Sequence, residues 1–206
     1  MTPEEVETFE RCIAGGGVAL FPADTVYGIA TKPGSAEGVR RLYALKGRRA
    51  DRPAAVMFFG LELALAALPE LPATTRGALE RLLPGGLTLL VPNPARRFPL
   101  ACADTPGVLG LRVPRLEREL APLAGVSRPV LQSSANVSGG VEARRVEEVD
   151  ETVRAGVDLI LDGGELPGTP STVVDLTAYH RDRSVEIVRE GAVSAAEVRE
   201  RLGLPE

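Results

Sequence analysis

The stretch SSANVSGG, residues Ser133–Gly140, follows an apolar run at 129–131 and consists almost entirely of small and polar residues. The valine and leucine of that run favour a β-strand, so the polar stretch is predicted to begin where a strand ends. Small residues let the backbone approach an anion closely, and hydroxyl and amide side chains add hydrogen-bond donors. The stretch therefore indicates a phosphate or nucleotide pocket, although a strand-to-helix turn with a serine cap fits the same residues.

Other segments share this pattern of an apolar run followed by small or charged polar residues. They are Ala19–Thr25, Leu45–Arg48, Leu109–Pro114, Gly168–Asp175 and Glu186–Gly191. Polar groups from several sequence-distant strand ends can converge on one cleft of an open α/β sheet. We therefore expect these segments to build a single binding cleft.

The composition restricts the class of protein. With 206 residues and 44% hydrophobic content, the chain is long enough for one domain with a substantial core. The net charge of -4 gives no overall basic signature for nonspecific binding of nucleic acid, although a local basic groove stays open. The N-terminus, MTPEE, is acidic and lacks the apolar segment of a signal peptide or a membrane span. We therefore predict a cytoplasmic protein without membrane contact.

Two residue types limit the chemistry. Cys12 and Cys102 are the only cysteines and His180 is the only histidine, so we expect no protein metal ligand. Both cysteines are predicted to be small core residues, with an incidental disulfide as the alternative. His180 is predicted to lie in a polar hairpin connection. Catalysis by a Ser-His-Asp or Cys-His arrangement would have to use that loop residue, so such hydrolase chemistry is disfavoured.

Strands and helices alternate along the chain. Helices are predicted at 3–14, 36–45, 61–68, 74–83, 116–124, 146–155 and 194–202. Strands are predicted at 18–22, 54–59, 87–92, 108–113, 130–132, 159–161, 172–176 and 185–189. Because short turns join some neighbouring strands and helices join others, we expect a single α/β domain over 1–206 with a mixed sheet.

An ordered series of motifs resembles the YrdC/Sua5 family over nearly the whole chain. The motifs are FPADTVYG (21–28), KGR (46–48), PGGLT (84–88), RVP (112–114), SANVSG (134–139), STVVD (171–175) and REG (189–191). No single motif is specific, but their order is. The resemblance implies a YrdC-like fold, which is a twisted, mixed, open sheet flanked by helices. It also implies the short, single-domain form, without the additional C-terminal domain of longer Sua5 members.

The resemblance further implies the activity of an L-threonylcarbamoyladenylate synthase, a nucleotidyltransferase. Such an enzyme converts L-threonine, bicarbonate or CO2, and ATP into threonylcarbamoyl-AMP and pyrophosphate. A downstream tRNA threonylcarbamoyl-transfer complex then passes the acyl group to adenosine in tRNA. ATP would be a substrate that carries its own Mg2+. Because the nucleophile belongs to the substrate, the protein has to supply positioning and positive charge rather than a nucleophilic side chain.

The same resemblance assigns ATP to cationic and small polar residues. The ATP contacts it implies are Lys46, Arg48, Arg52, Ser134, Asn136 and Arg189, with Lys46 and Arg48 as the catalytic cations. Lys46 is a compact point charge suited to a phosphate, and Arg48 provides forked contacts. These residues also fit structural roles, namely a basic cluster at a helix C-terminus, turn capping and an exposed arginine at a strand end.

The implied contacts of L-threonine are Thr25, Arg112 and Ser171. Arg112 is the natural partner of the substrate carboxylate, with a buried structural arginine as the alternative. Asp24 and Asp175 could order the surrounding loops or help to hold a magnesium-bound triphosphate, but aspartate at a turn most often binds its own backbone.

Four positions depart from the usual family pattern. Ala23 replaces a threonine, Arg52 an asparagine, Met57 a histidine that contacts threonine, and Val108 a threonine near the nucleotide. Met57 has no group that could replace the lost hydrogen bond, whereas Arg52 could make a charge-assisted contact with a phosphate. The resemblance therefore supports nucleotide binding more directly than specificity for threonine.

Two other functions stay open on the sequence. One is an adenylating carbamoylation enzyme with a different acceptor. The other is an RNA-binding module, in which phosphates contact one rim formed by Arg40, Arg41, Arg48, Arg49 and Arg52. The acidic net charge and the 4% aromatic content disfavour recognition by base stacking.

Overall fold

In the computed structural model, which describes residues 1–49, 51–137 and 139–205, strands alternate with helices. The strands are β1 (Ala19–Pro22), β2 (Tyr27–Thr31), β3 (Ala55–Met57), β4 (Leu87–Pro92), β5 (Val108–Arg112), β6 (Val130–Ser134), β7 (Leu159–Ile160), β8 (Thr172–Asp175) and β9 (Glu186–Arg189). The helices are α1 (Pro3–Ala14), α2 (Ala36–Leu45), α3 (Leu61–Ala67), α4 (Ala73–Leu82), α5 (Pro99–Cys102), α6 (Glu151–Gly156), α7 (Tyr179–Asp182) and α8 (Ala195–Leu202). Two 3-10 helices span Arg118–Gly125 and Val146–Glu148.

The strands of the described residues form one sheet in the order β7-β1-β2-β6-β3-β5-β4-β8-β9. The pairs β1–β7, β3–β5 and β4–β8 are parallel, and the remaining neighbours are antiparallel. Hairpins such as β1–β2 and β4–β5 alternate with helical crossovers, which is why the sheet is mixed. The predicted α/β class with a mixed sheet flanked by helices is confirmed.

One face of the sheet carries the main core. Leu131, Val56, Leu111, Leu89 and Val174 are register partners in a row across five adjacent strands, and all are fully buried. Apolar residues of α2, α4 and α8 belong to the same cluster. Because side chains alternate between the two faces of a strand, the neighbours of this row in sequence must lie on the opposite face.

Part of that opposite face is covered by α1. Phe9 of α1 packs against Phe21 and Phe59, with ring centroids 5.5 and 5.9 Å away. Met57 and Val130 belong to the same buried cluster. The α1 helix is held in place by a capping box, in which Thr2 and Glu5 satisfy each other's backbone N–H groups. The α1 helix thus covers only part of this face of the sheet, and the candidate site described below lies on the remainder.

The sequence prediction missed β2. The segment YGIAT (Tyr27–Thr31) contains a glycine and is short, so no strand was expected there, but it forms a hairpin with β1 and pairs with β6. Tertiary pairing on both sides overrides the weak local signal. The consequence is functional, because Gly28 of β2 is the register partner of Ser134 at the end of β6.

Two predicted helices were wrong in form. The segment predicted as a helix at 116–124 is the 3-10 helix Arg118–Gly125, which contains Pro122 and begins at Arg118 with a φ of 51°. The helix predicted at 146–155 is divided, because Val149 has extended backbone and Asp150 caps a separate α6. The predicted cap of the last helix is correct, since the Ser194 side chain accepts from the Glu197 N–H.

The predictions for the single histidine and the two cysteines were partly correct. His180 lies in the exposed connection between β8 and β9, but that connection contains a short helix, α7. Cys102 is buried as expected, whereas Cys12 is only half-buried, and both thiols are free. Burial raises the pKa of both cysteines, so neither is an activated thiolate.

Candidate active site

The uncovered part of the sheet's second face forms a small hollow. Gln132, Ala55 and Gly110 are register partners in one row across β6, β3 and β5. Two of these three residues are small, so the row leaves space above the sheet. The sequence placed the cleft at strand ends, but the structure places most of it across the face of the sheet.

The hollow is a cavity of about 170 Å³. It is lined by Val26, Tyr27, Gly28, Arg48, Pro53, Ala54, Ala55, Thr88, Arg112, Gln132, Ser133, Ser134, Glu142, Pro170, Ser171, Val173 and Arg189. Five of the predicted site residues are in this wall, namely Arg48, Arg112, Ser134, Ser171 and Arg189. The lining contains three arginines and one carboxylate, that of Glu142, so the cavity has an excess of positive charge and suits an anionic ligand.

Arg112 ends β5 on the floor of the cavity. Its side chain is 5% exposed and its Nη2 donates to Asp24 Oδ1 at 2.7 Å and to the Thr25 hydroxyl at 3.1 Å. The other Asp24 oxygen accepts the Arg115 N–H at 3.0 Å, so Asp24 orders its loop. Burial lowers the pKa of Arg112, and the Asp24 carboxylate opposes that shift. Arg112 is therefore a desolvated guanidinium with one side fixed to the protein.

Arg189 and Ser171 form the opposite wall. Arg189 Nη2 donates to the Ser171 carbonyl at 2.7 Å, and the Ser171 hydroxyl lies 2.8 Å from the Thr88 hydroxyl. Arg189, Val173 and Thr88 are also aligned by register across β9, β8 and β4. The predicted residues Arg189 and Ser171 are thus brought together, and Thr88, for which no role was predicted, lies beside them.

The loop after Arg189 is held by one buried hydroxyl. Thr172 Oγ1 accepts the N–H groups of Gly191 and Val193 at 2.8 and 3.1 Å and itself donates to the Val193 carbonyl. A Cβ on Gly191 would lie 2.1 Å from the Pro170 carbonyl oxygen and 2.8 Å from the Ser171 carbonyl carbon. Only glycine fits at this close approach of two backbones.

We expect Gly191→Ala to displace Ser171 and Arg189 together, because the new methyl group collides with backbone that cannot swing away. The free energy of unfolding should fall by about 1–3 kcal/mol, and affinity for ligands of the cavity should fall with it. Thermal unfolding and ligand titration measure both. The control is Gly77→Ala, since a Cβ there meets nothing within 4 Å. A Gly191→Ala protein with wild-type stability and affinity would contradict this account.

Lys46 is the C-cap residue of α2, is 2% exposed, and is not among the residues that line the cavity. Its Nζ donates to the Ser134 carbonyl, to the Asn136 carbonyl at 2.6 Å and to Asn136 Oδ1 at 3.1 Å. Burial lowers the pKa of Lys46 to about 8. An ammonium has three donors, and all three are used here. Lys46 therefore fixes the turn that follows β6.

Arg48 lies two residues after Lys46, beyond the end of α2, and its side chain lines the cavity. Its Nη1 donates to the Ser133 hydroxyl at 3.2 Å, its Nη2 donates to the Pro53 carbonyl at 2.5 Å, and its guanidinium lies 5.7 Å from the centre of the Tyr43 ring. These contacts hold the arginine with its charge at the rim.

The polar turn that follows β6 is stabilised by hydrogen bonds of its own side chains. The Ser134 hydroxyl donates to Asn136 Oδ1 at 2.6 Å, and Asn136 Nδ2 donates to the Gly140 carbonyl at 2.6 Å. Ser138 of the same motif lies outside the described residues. Both the binding and the capping interpretations of Ser134 are thus compatible with the turn, but Ser134 also lines the cavity.

Four of the nine predicted site residues are not among the residues that line this cavity, namely Lys46 and Asn136, described above, and Arg52 and Thr25. Arg52 has an exposed side chain and is not among the lining residues. Thr25 lines a larger adjoining cavity of about 970 Å³, together with Gly86, Thr169 and Gly191. Thr25 lines the larger cavity and the next residue, Val26, lines the smaller one, so the two cavities adjoin.

Several buried polar atoms of this cavity have no protein partner. Among the residues that the structure describes, Arg48 Nε, Arg112 Nε and Glu142 Oε2 are buried and make no hydrogen bond. Buried polar groups are normally paired, and each exception calls for a physical reason. Three exceptions around one cavity indicate that a polar ligand completes the hydrogen bonding.

Comparison with known proteins gives the family. The profile of the Sua5/YciO/YrdC family, described as "Telomere recombination", matches residues 11–191. The chain belongs to this family. A threonylcarbamoyl-AMP synthase of Pseudomonas aeruginosa is 32% identical over 170 residues, covering 81% of this chain and 89% of the relative.

An archaeal relative is longer. A threonylcarbamoyl-AMP synthase of Pyrococcus abyssi is 29% identical over 206 residues, which cover 97% of this chain but only 59% of the relative. The crystal structure of P. abyssi Sua5 complexed with L-threonine superimposes with a TM-score of 0.82 at 27% identity, over 98% of this chain and 58% of that one. The chain thus spans about three fifths of the length of these relatives.

Membership of the Sua5/YciO/YrdC family makes the departure at Met57 informative. Met57 is fully buried in the cluster under α1 and is the register partner of Arg112. It lies beside the arginine that is predicted to bind threonine, and it offers no hydrogen bond there. Ala23 is likewise buried, in the turn before β2.

The sequence reasoning missed Glu142, Thr88 and Gln132 as wall residues. Thr88 could have been found, because β4 alternates buried and half-buried positions and places Thr88 on the face opposite Leu87 and Leu89. Glu142 lies in an irregular segment without periodicity, so no local signal existed.

No helix within 1–49, 51–137 and 139–205 has the length and apolar character needed to cross a membrane. The same part of the chain holds no group of three or more His, Cys, Asp or Glu side chains arranged to bind a metal ion.

Proposed function

We propose that the protein is a threonylcarbamoyl-AMP synthase, a nucleotidyltransferase that uses L-threonine, bicarbonate or CO2, and ATP. The observation that carries the proposal is the buried Arg112, whose Nε has no partner while its Nη2 is fixed to Asp24. A desolvated guanidinium with spare donors is a carboxylate site. A family member bound to L-threonine supports the same substrate.

The wall residues divide the work of such a reaction. Arg112 would hold the threonine carboxylate, with the hydroxyls of Thr25 and Ser171 beside it. Arg48 and Arg189 would hold phosphate oxygens by forked contacts, and the Ser134 turn would add donors. Each of these groups has a fixed partner in the protein, so little reorganisation is needed when the substrates bind.

The chemistry needs no protein nucleophile. The threonine amine forms a bond to the carbon of CO2 and loses a proton, giving a carbamate. A carbamate oxygen then attacks the α-phosphorus of ATP, and the bond to the β-phosphate oxygen breaks to release pyrophosphate. Negative charge grows on the departing pyrophosphate, where the guanidinium groups of Arg48 and Arg189 would stabilise it, while Lys46 would act by holding the Ser134 turn in place. Mg2+ would enter with ATP as part of the substrate.

The product, a mixed anhydride of a carbamate and AMP, is labile in water. We propose that a downstream tRNA threonylcarbamoyl-transfer complex accepts this product and that the protein works in the cytoplasm, in tRNA modification. Residues 11–191, which match the family profile, would form a YrdC-like domain that carries the synthase site.

The alternative of RNA binding through the Arg40–Arg52 rim gains no support. Arg41 is paired with Asp158 at 2.8 Å, Arg49 is paired with Asp51 at 2.6 Å, and Arg40 is paired with Glu37. Arginines already paired with carboxylates give up those partners before they bind phosphates, which reduces any gain.

The decisive experiment is to incubate the protein with ATP, bicarbonate and L-threonine and to follow pyrophosphate release together with the mass of the adenylate. Threonine-dependent formation of both products is expected. Parallel reactions with serine, with glycine and without an amino acid test the acceptor, which matters because Met57 removes a polar contact. Nucleotide binding without threonine-dependent product would reject the proposed function in favour of a different acceptor.

A further inference from the structure

Glu142 is an unexplained carboxylate in the site. Among the described residues that line the 170 Å³ cavity, it is the only Asp or Glu. Within the described part of the chain, its Oε2 is buried and has no hydrogen-bond partner. A buried carboxylate oxygen without a donor is costly, so the protein gains something from keeping it there.

The cavity that Glu142 lines is cationic, because Arg48, Arg112 and Arg189 also line it. Burial lowers the pKa of Lys46, and the Glu142 carboxylate acts in the opposite direction. The carboxylate acts in the same sense on the pKa of Arg112, after burial and Asp24. Glu142 also lines the same cavity as Arg112, the cation predicted to hold the amino-acid carboxylate.

An α-amino acid held at Arg112 brings a second charge. Its ammonium group is attached to the carbon next to the carboxylate, so it lies in the same cavity as Glu142. Of the nearby carboxylates, Asp24 is already occupied by Arg112 and the Arg115 N–H. Three arginines would repel the ammonium, and Glu142 is the one carboxylate among the described wall residues that attracts it.

We propose that the Glu142 carboxylate binds the α-ammonium group of the amino-acid substrate and so restricts the site to zwitterionic amino acids. The inference rests on the proposed function, because it takes an amino acid as the ligand at Arg112. Glu142 orients the nitrogen, which attacks CO2 only after the ammonium has lost a proton to water; formation of the N–C bond releases a second proton. Hydroxy acids that carry the same carboxylate and hydroxyl but lack the amine lose this contact.

The test compares L-threonine with 3-hydroxybutanoate, which is threonine without its amino group, as ligands of the wild type and of Glu142→Gln. Glutamine keeps the shape and removes the charge. In the variant, the KM for threonine is expected to rise about 10- to 100-fold, whereas the inhibition constant of 3-hydroxybutanoate stays the same or falls. The KM for ATP is expected to stay within about twofold.

The matched control is Glu147→Gln, the same change at an exposed residue outside the cavity lining. An unchanged threonine KM in Glu142→Gln would overturn the inference. Equal weakening of threonine and 3-hydroxybutanoate would also overturn it, because a merely structural role affects both ligands. A wild type that forms no threonine-dependent product rejects the proposed function itself, which the first arm of the assay reports separately.

Discussion

Replacing Arg112 by alanine is expected to reduce kcat/KM for L-threonine about 100- to 1,000-fold, because the substrate carboxylate loses its buried partner. The affinity for a non-hydrolysable ATP analogue should change by less than about tenfold, since Arg48 and Arg189 are still present. Pyrophosphate release at varied threonine concentration and calorimetric titration of the analogue measure the two effects.

The same substitution has a structural cost. Arg112 and Asp24 are 5% and 7% exposed in their side chains, so removal of the arginine leaves a buried carboxylate without its cation. The free energy of unfolding is expected to fall by about 3–5 kcal/mol. Loss of activity by Arg112→Ala alone would therefore be ambiguous.

A double variant separates binding from folding. In Asp24→Asn with Arg112→Gln, both charges are removed and a neutral hydrogen-bonded pair can form. We expect this protein to recover most of the thermal stability and to stay inactive with threonine. Recovery of activity together with stability would show that Arg112 is a structural arginine, the alternative that the sequence left open.

The sequence predicted the fold well because the strongest signals coincide with tertiary structure. The row from Leu131 to Val174 consists of aliphatic residues in short apolar runs, and those runs became adjacent strands. β2 was missed because its glycine lowers local strand propensity, while pairing with both β1 and β6 determines its conformation. Pairing partners distant in sequence are invisible to local patterns.

The site was predicted residue by residue from motifs rather than from geometry. The motifs gathered Arg48, Arg112 and Ser171 correctly into one cavity wall, but they placed it at strand ends. The hollow depends on Ala55 and Gly110 being register partners on the open face, and register cannot be read from one strand alone. Glu142 was not predicted as a site residue for a related reason, because only the folded structure shows that its irregular segment lies against the cavity.

Lys46→Ala is expected to lower the rate of pyrophosphate release about 100- to 1,000-fold, because the turn of Ser134 and Asn136 that would hold phosphate loses the buried ammonium that fixes it. The variant should also lose stability, by about 1–3 kcal/mol, since the carbonyls of Ser134 and Asn136 lose their shared donor. Lys46→Arg should stay well below wild type in activity, because a planar guanidinium cannot direct its donors at three clustered oxygens.

The titration of Lys46 gives an independent check. With a pKa of about 8, the side chain loses its positive charge as the pH rises through that value. The affinity of the wild type for an ATP analogue should therefore fall about tenfold between pH 8 and pH 9.5, while Lys46→Ala binds weakly with no such dependence. A wild-type affinity that is flat across this range would remove Lys46 from nucleotide binding.

The free energy of unfolding should rise as Lys46 loses its proton, whereas the affinity for the ATP analogue falls. Between about pH 8 and the ordinary lysine pKa of 10.5, the unfolded chain holds a proton at Lys46 that the folded protein has released. The contribution of this residue to the free energy of unfolding therefore rises with pH in that window. Nucleotide affinity that falls while the Lys46-dependent stability rises would identify one buried ammonium as the cause of both, because a general alkaline loosening of the fold would lower the two together.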